Sequence, residues 1–165
     1  MCLKTQNQNP KPIFLMPQSL SRVLVHLIFS VKDRAAVLTP AIQKELHPYL
    51  AVVLRENNCA CLKAGGWIDH VHLLFGLSRT LTIAQIVETV KTSSSKWIKR
   101  KGADFARFHW QNGYGAFSVG ASGVEEVATY IENQVEHHRL RTFQEEYRKF
   151  LERYRVPYDE RYVWD

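Results

Sequence analysis

Hydrophobic positions recur along this chain with two different periods, and the points where the period changes mark its elements. Ser21 to Val31 is an almost unbroken apolar run that predicts a strand. Thr39-Pro40 then reads as a helix start, with Thr as N-cap and Pro in the first turn. Ile42, Leu46, Leu50 and Val53 carry the helical stripe to about Arg55. A strand follows from Cys59 to Lys63, then a turn at Gly65-Gly66, then a strand from Trp67 to Leu77. Thr82 caps a second helix whose stripe is Ile83, Ile86, Val90 and Trp97. A short strand covers Ala116 to Val119. Ser122-x-x-Glu125 reads as a capping box opening a third helix to about His138, and Thr142-x-x-Glu145 as a second box. The C-terminal helix it opens aligns Phe143, Tyr147, Phe150 and Tyr154 on one face.

The order β-α-β-β-α-β-α-α predicts an α+β fold, a ferredoxin-like (RRM-like) sandwich with an antiparallel sheet and helices on one face. Two further helices follow it, and the other sheet face is left for a partner or nucleic acid. Residues 1–17, polar and rich in Asn, Gln and Pro, read as a disordered arm, and 18–165 as one domain.

Composition narrows the picture. Hydrophobic residues are 45% and aromatics 12% of 165 residues, enough for one sizeable core. No apolar run reaches the ~18 residues of a membrane helix, so no membrane role is expected. Three cysteines make no disulfide framework, and a cytoplasmic home is expected. The net charge is +6, and it is unevenly spread. Residues 78–114 hold seven basic against two acidic residues, while 115–138 are acidic. Lys91, Lys96, Lys99, Arg100 and Lys101 lie on or just after the second helix, where cations suit both the helix dipole and a polyanion.

The chemistry concentrates in two segments. In Trp67-Ile68-Asp69-His70-Val71-His72-Leu73-Leu74-Phe75, the two histidines are two apart on a strand, so both imidazoles leave one face and can chelate a divalent metal. Val71 and Leu73 point to the core, and Asp69, read on the face opposite the histidines, is not assigned as a ligand. On the third helix Tyr130 and Gln134 are four apart and share a face, with His137 on the same stripe. Val127, Ile131 and Val135 form the packing stripe beside them. A tyrosine is a competent nucleophile when a metal polarises its target. Taken singly, the His pair could arise by chance and Tyr130 could be a packed helical tyrosine.

Together these features resemble the HUH endonuclease superfamily, in particular the single-tyrosine, IS200-like transposases of small bacterial insertion sequences and their REP-associated relatives. The resemblance runs from about Met16 to Asp165. It extends to Val25-His26-Leu27-Ile28-Phe29, Ser94-Ser95-Lys96-Trp97-Ile98, Trp110-Gln111-Asn112-Gly113-Tyr114-Gly115, Glu136-His137-His138 and the closing Tyr158-Asp159-Glu160-Arg161-Tyr162-Val163-Trp164-Asp165.

That resemblance implies a transposase that cleaves and rejoins single-stranded DNA bearing subterminal hairpins. His70 and His72 would bind Mg²⁺ or Mn²⁺, and Gln134 would be the third protein ligand, making a neutral donor set. Tyr130 would form a 5′-phosphotyrosine link. It implies a homodimer and no small-molecule cofactor. Lys91, Lys96, Lys99, Arg100 and Lys101 would then hold phosphates, positioning the strand with little sequence information. Two other readings compete: a non-catalytic RRM-like nucleic-acid-binding module, which does not need His70, His72, Tyr130 and Gln134 together, and a replication- or mobilisation-type HUH nickase.

Overall fold

The computed structural model describes residues 20–140 and 142–164 and, for His137, Arg139 and Leu140, the backbone only. The expected N-terminal arm and the side chain of His137 lie outside the described residues.

Four strands, β1 (Leu24–Ser30), β2 (Ala60–Gly66), β3 (His70–Gly76) and β4 (Gly115–Val119), form one antiparallel sheet in the order β2-β3-β1-β4. Helices α1 (Pro40–Glu56) and α2 (Ile83–Lys99) supply the two crossovers. This is the ferredoxin-like arrangement expected from the element order. Strand alternation sends Val25, Leu27 and Phe29 of β1 and Val71, Leu73 and Phe75 of β3 to one side. There they pack with Ile42, Leu46 and Leu50 of α1 and Ile86 and Val90 of α2. Each such fully buried aliphatic or aromatic side chain contributes about 1.5–3 kcal/mol.

The opposite face is not open, which corrects the expectation of a free surface there. Helices α3 (Val124–Glu132), α4 (Gln134–Leu140) and α5 (Phe143–Arg153) lie over it. Phe143, Tyr147 and Leu151 of α5 bury against Ile28 and Phe117 of the sheet. Every residue of β1 is consequently buried. A strand enclosed on both faces needs apolar residues at nearly every position, and that is what LVHLIFS supplies.

The caps at Thr39, Thr82 and Thr142 form as read from the sequence, the last two as full capping boxes with Gln85 and Glu145. The Ser122 box does not form. Ala121–Gly123 make a 3₁₀ turn, so Ser122 sits inside a helical turn instead of ahead of one, and Gly123 takes the N-cap of α3 without a side-chain bond. The single helix expected to reach His138 is two helices. The break falls at Asn133, whose φ of −90° and ψ of 20° leave the α-helical region.

Gly65 and Gly66 are not a turn but the last two residues of β2, and residues 67–69 make the connection. The glycines are needed for close approach. A Cβ on Gly65 would lie 2.7 Å from both Cγ2 and the carbonyl oxygen of Ile131 on α3. Gly66 has φ +155°, and a Cβ there would come 2.2 Å from the carbonyl of His70. Small residues at the end of β2 thus let α3 settle directly on the sheet.

Gly65→Ala should therefore lower stability by about 1–3 kcal/mol, the usual cost of overpacking. Gly120→Ala, where an added Cβ meets nothing within 4 Å, should be close to neutral. Chemical denaturation of both variants checks this, and equal stabilities would show that α3 does not depend on that contact.

Candidate active site

The register of β1 against β3 sets the site. Ser30 pairs with His70, Ile28 with His72 and His26 with Leu74, so His26, Ser30, His70 and His72 all project from the face under α3–α5. All four are 0–1% exposed. Buried imidazoles need partners, and each is given one on the sheet side. His70 Nδ1 lies 2.7 Å from Asp69 Oδ1. The carboxylate can only accept, so Nδ1 carries the proton and His70 Nε2 keeps its lone pair. Asp69 was expected on the far face. It belongs to the turn before β3, outside the strand's alternation, and folds back onto its neighbour. His72 Nδ1 lies 2.9 Å from His26 Nε2.

Helices α4 and α5 bring the remaining polar groups. Gln134, 1% exposed, follows the break at Asn133. Its amide nitrogen donates to Glu146 Oε1 at 3.0 Å, which turns Gln134 Oε1 towards His70 Nε2 (3.3 Å) and His138 Nε2 (3.0 Å). His138 Nε2 is 3.2 Å from His70 Nε2 and 3.3 Å from Glu146 Oε2. Beyond that charge contact, Glu146 Oε2 is buried with no hydrogen bond among the described residues. His70 Nε2, Gln134 Oε1 and Glu146 Oε2 therefore present lone pairs to one small volume, and His138 can donate a proton to only one of them. Atoms of His70, His72 and Glu146 that can ligate a metal all lie within 4.8 Å of one another. Burial, with the charge of Asp69 added, pushes the Glu146 carboxyl up to about 8. This chemistry fits a divalent cation, which would satisfy the converging lone pairs and favour the ionised carboxylate.

Tyr130 stands beside this cluster in the same chain. Its ring is 5.8 Å from that of His72 and 6.2 Å from that of His26, edge-on to both, and Phe150 of α5 backs it at 5.5 Å. A cleft of about 440 Å³ between α3 and α5, lined by Tyr130, Asn133, His138, Glu146, Lys149 and Phe150, leads to these groups. The packing stripe of α3 is realised in Ile131, which is buried, whereas Val135 is exposed once the helix breaks.

The basic residues divide. Lys96, Arg100 and Lys101 are exposed and Lys99 is half-buried. Lys96 and Lys99 line a shallow groove between α2 and Trp110–Asn112. Lys101 pairs with Glu45 and lies 4.2 Å from the Trp97 ring centre. Lys91 is engaged within the fold. It donates to the carbonyls of Gln111, Asn112 and Gly113 at 2.7–3.1 Å, and burial lowers its pKa to about 8. Trp110 is buried, its indole donating to Ser94 Oγ, while Tyr114 is 40% exposed.

Sequence reasoning gathered His70, His72, Gln134 and Tyr130, and the structure brings these four together. It passed over His26, Asp69, Glu146 and His138 as parts of the site. Two of them left a signal. His26 is the one ionisable residue in the apolar run of β1, and Glu146 occupies an inward position between Phe143 and Phe150 on the apolar face of α5.

Comparison with known proteins bears on the whole arrangement. The chain is similar in fold to a Deinococcus radiodurans R1 protein assigned to the transposases. The TM-score is 0.57 at 24% identity, over 72% of this chain and 98% of that one. It is similar also to a REP-associated tyrosine transposase solved with a REP hairpin. Here the TM-score is 0.56 at 12% identity, over 74% of this chain and 73% of that one. No curated protein matches it. The family described as "Transposase IS200 like" matches residues 19–134, from just ahead of β1 to the glutamine that faces His70. With the strand-borne His pair, the helix-borne tyrosine and that glutamine all inside the matched span, this chain belongs to the IS200-like transposase family.

Proposed function

We propose that the protein cleaves and rejoins single-stranded DNA through a covalent link to Tyr130, at a divalent-metal site held by His70, His72, Gln134 and Glu146. The observation that carries the reading is the placement of the Tyr130 ring 5.8 Å from that of His72, beside converging lone pairs, within one chain. Tyr130 Oη attacks the phosphorus of a phosphodiester. The Oη–P bond forms, the P–O3′ bond breaks, and the tyrosine proton ends on the departing 3′-hydroxyl. Attack by a 3′-hydroxyl reverses each change, so the phosphodiester is conserved and rejoining needs no external energy. A bound Mg²⁺ or Mn²⁺ supplies charge neutralisation at the scissile phosphate. Glu146 makes the donor set anionic, not neutral as the sequence-level ligand set implied.

The REP hairpin bound by one fold relative supports a hairpin-bearing substrate. Phosphate contacts fall to Lys96 and Lys99 along the groove beside Trp110, and to Arg100 and Lys101 just past the end of α2. Lys91 serves this surface indirectly, by fixing the 111–113 carbonyls. The RRM-like alternative requires an open sheet face for stacked bases, and that face is roofed by α3–α5. A homodimer belongs to the same reading: β4 is a five-residue edge strand, and such edges pair with second copies. Each protomer then carries its own complete site, because Tyr130 lies against its own His72.

Three outcomes follow. With Mg²⁺ or Mn²⁺, labelled single strands carrying hairpins should give a covalent adduct that survives denaturing gels, and Tyr130→Phe should abolish it. Equal cutting of duplex DNA would sink the reading. A His70→Ala and Tyr130→Phe mixture should stay inactive, and recovered cleavage would show a shared site.

Replacing Lys96, Lys99 and Lys101 by Ala should weaken DNA binding and flatten its salt dependence by roughly one unit of slope per lost phosphate contact. Unchanged binding would move the DNA surface elsewhere.

EDTA-treated protein should remain folded, since the core beneath α1 and α2 contains none of the donor atoms. Mn²⁺ at about 100 times its Kd should add about 2.7 kcal/mol of stability. Glu146→Gln should lose most of that gain while remaining folded. A full gain in that variant would remove Glu146 from the ligand set.

A further inference from the structure

The two strand histidines receive different treatment at Nδ1. For His70 the partner is a carboxylate, which cannot donate and so fixes the tautomer outright. For His72 the partner is a second imidazole, His26, at 2.9 Å. That bond can be made in two ways with opposite consequences. If His26 Nε2 donates, His72 holds its proton on Nε2 and has no lone pair to offer a cation. If His26 Nε2 accepts, His72 holds its proton on Nδ1 and its Nε2 carries the lone pair that can ligate.

We propose that His26 is a positioning residue, a hydrogen-bond acceptor that holds His72 in the Nδ1–H tautomer and aims its Nε2 at the metal site. This rests on the reading of His72 as a ligand. His26 is 1% exposed on β1, the strand that pairs with β3. Its ring stacks on that of His72 at 5.2 Å between centres with a 29° tilt. Phe150 meets it edge-on at 5.1 Å and Tyr130 at 6.2 Å, which closes its surroundings with aromatic rings.

The arrangement makes the two orienting groups complementary. Asp69 gives His70 a charged partner, and His26 gives His72 a neutral one. Two carboxylates behind the pair would add a second buried charge to a site that already holds Glu146. A neutral imidazole provides the same directional hold without it. The rings of His26, His72 and Tyr130 form a triangle with 5.2–6.2 Å between centres, so His26 touches the ligand and the nucleophile alike.

The test uses the full chain without DNA. Mn²⁺ affinity is read from the free-ion electron paramagnetic resonance signal in wild type, His72→Ala, His26→Leu and His26→Gln. Thermal unfolding of each metal-free protein monitors folding. His26→Leu should bind Mn²⁺ about 10–100-fold more weakly, the usual loss when a partner behind a metal-binding histidine is removed. His26→Gln can place Oε1 where Nε2 stood, and it should recover affinity to within about threefold of wild type. Undiminished affinity in His26→Leu, alongside a loss in His72→Ala, would overturn the role of His26 alone. Undiminished affinity in His72→Ala would overturn the ligand reading beneath it. Nitrogen-15 NMR of the metal-free wild type gives an independent answer should His26→Leu fail to fold. The His72 ring should carry its proton on Nδ1, and a proton on Nε2 would overturn the inference.

Discussion

Lone pairs that have been taken out of water and pointed at one another are the constraint around which this structure is arranged. His70 Nε2, Gln134 Oε1 and Glu146 Oε2 gather in a space enclosed by the sheet and by α4 and α5, with His138 Nε2 within 3.3 Å of each. Left alone, such a cluster costs stability, because acceptors repel and their hydration is lost. The raised Glu146 pKa is the same cost seen from one group. A divalent cation would remove it. Under the proposed reading, metal binding acts on one small volume, while the larger apolar core lies on the other side of the sheet, out of reach of these donor atoms.

The C-terminal helix joins these two requirements. Its apolar residues Phe143, Tyr147 and Leu151 seal the second sheet face, and Glu146 between them enters the donor cluster. The family match ends at Gln134, so this helix lies beyond it. The site is nevertheless incomplete without it, since Glu146 orients the Gln134 amide and Phe150 backs Tyr130. Lys91 performs a comparable service at the other end, anchoring the carbonyls of the 111–113 loop whose Gln111 side chain receives a hydrogen bond from Ser30.

The element order and the shared face of His70 and His72 were legible because they depend on local periods. A two-residue spacing on a strand fixes a shared face whatever else the chain does. The four-residue spacing of Tyr130 and Gln134 likewise survived, although the helix breaks between them. What was not legible depends on tertiary packing. The roofing of the second face follows from where α5 docks, and no local period reports that. A hint was present in LVHLIFS and HVHLLFG, strands apolar at nearly every position. Their few polar residues, His26, Ser30, His70 and His72, all fall on one face, as expected when one covering layer holds a site and the other a core. Glu146 and Asp69 were missed for a related reason. Each acts across a break in regular structure, one from a separate helix and one from a turn, where spacing rules stop.

Crystals soaked with Mn²⁺ and measured at the manganese absorption edge give the most direct test of the central claim. The account predicts one strong anomalous peak per chain, within coordination distance of His70 Nε2, His72 Nε2, Gln134 Oε1 and Glu146 Oε2, beside Tyr130. A peak held by other residues, or none at this cluster under saturating Mn²⁺, would contradict it.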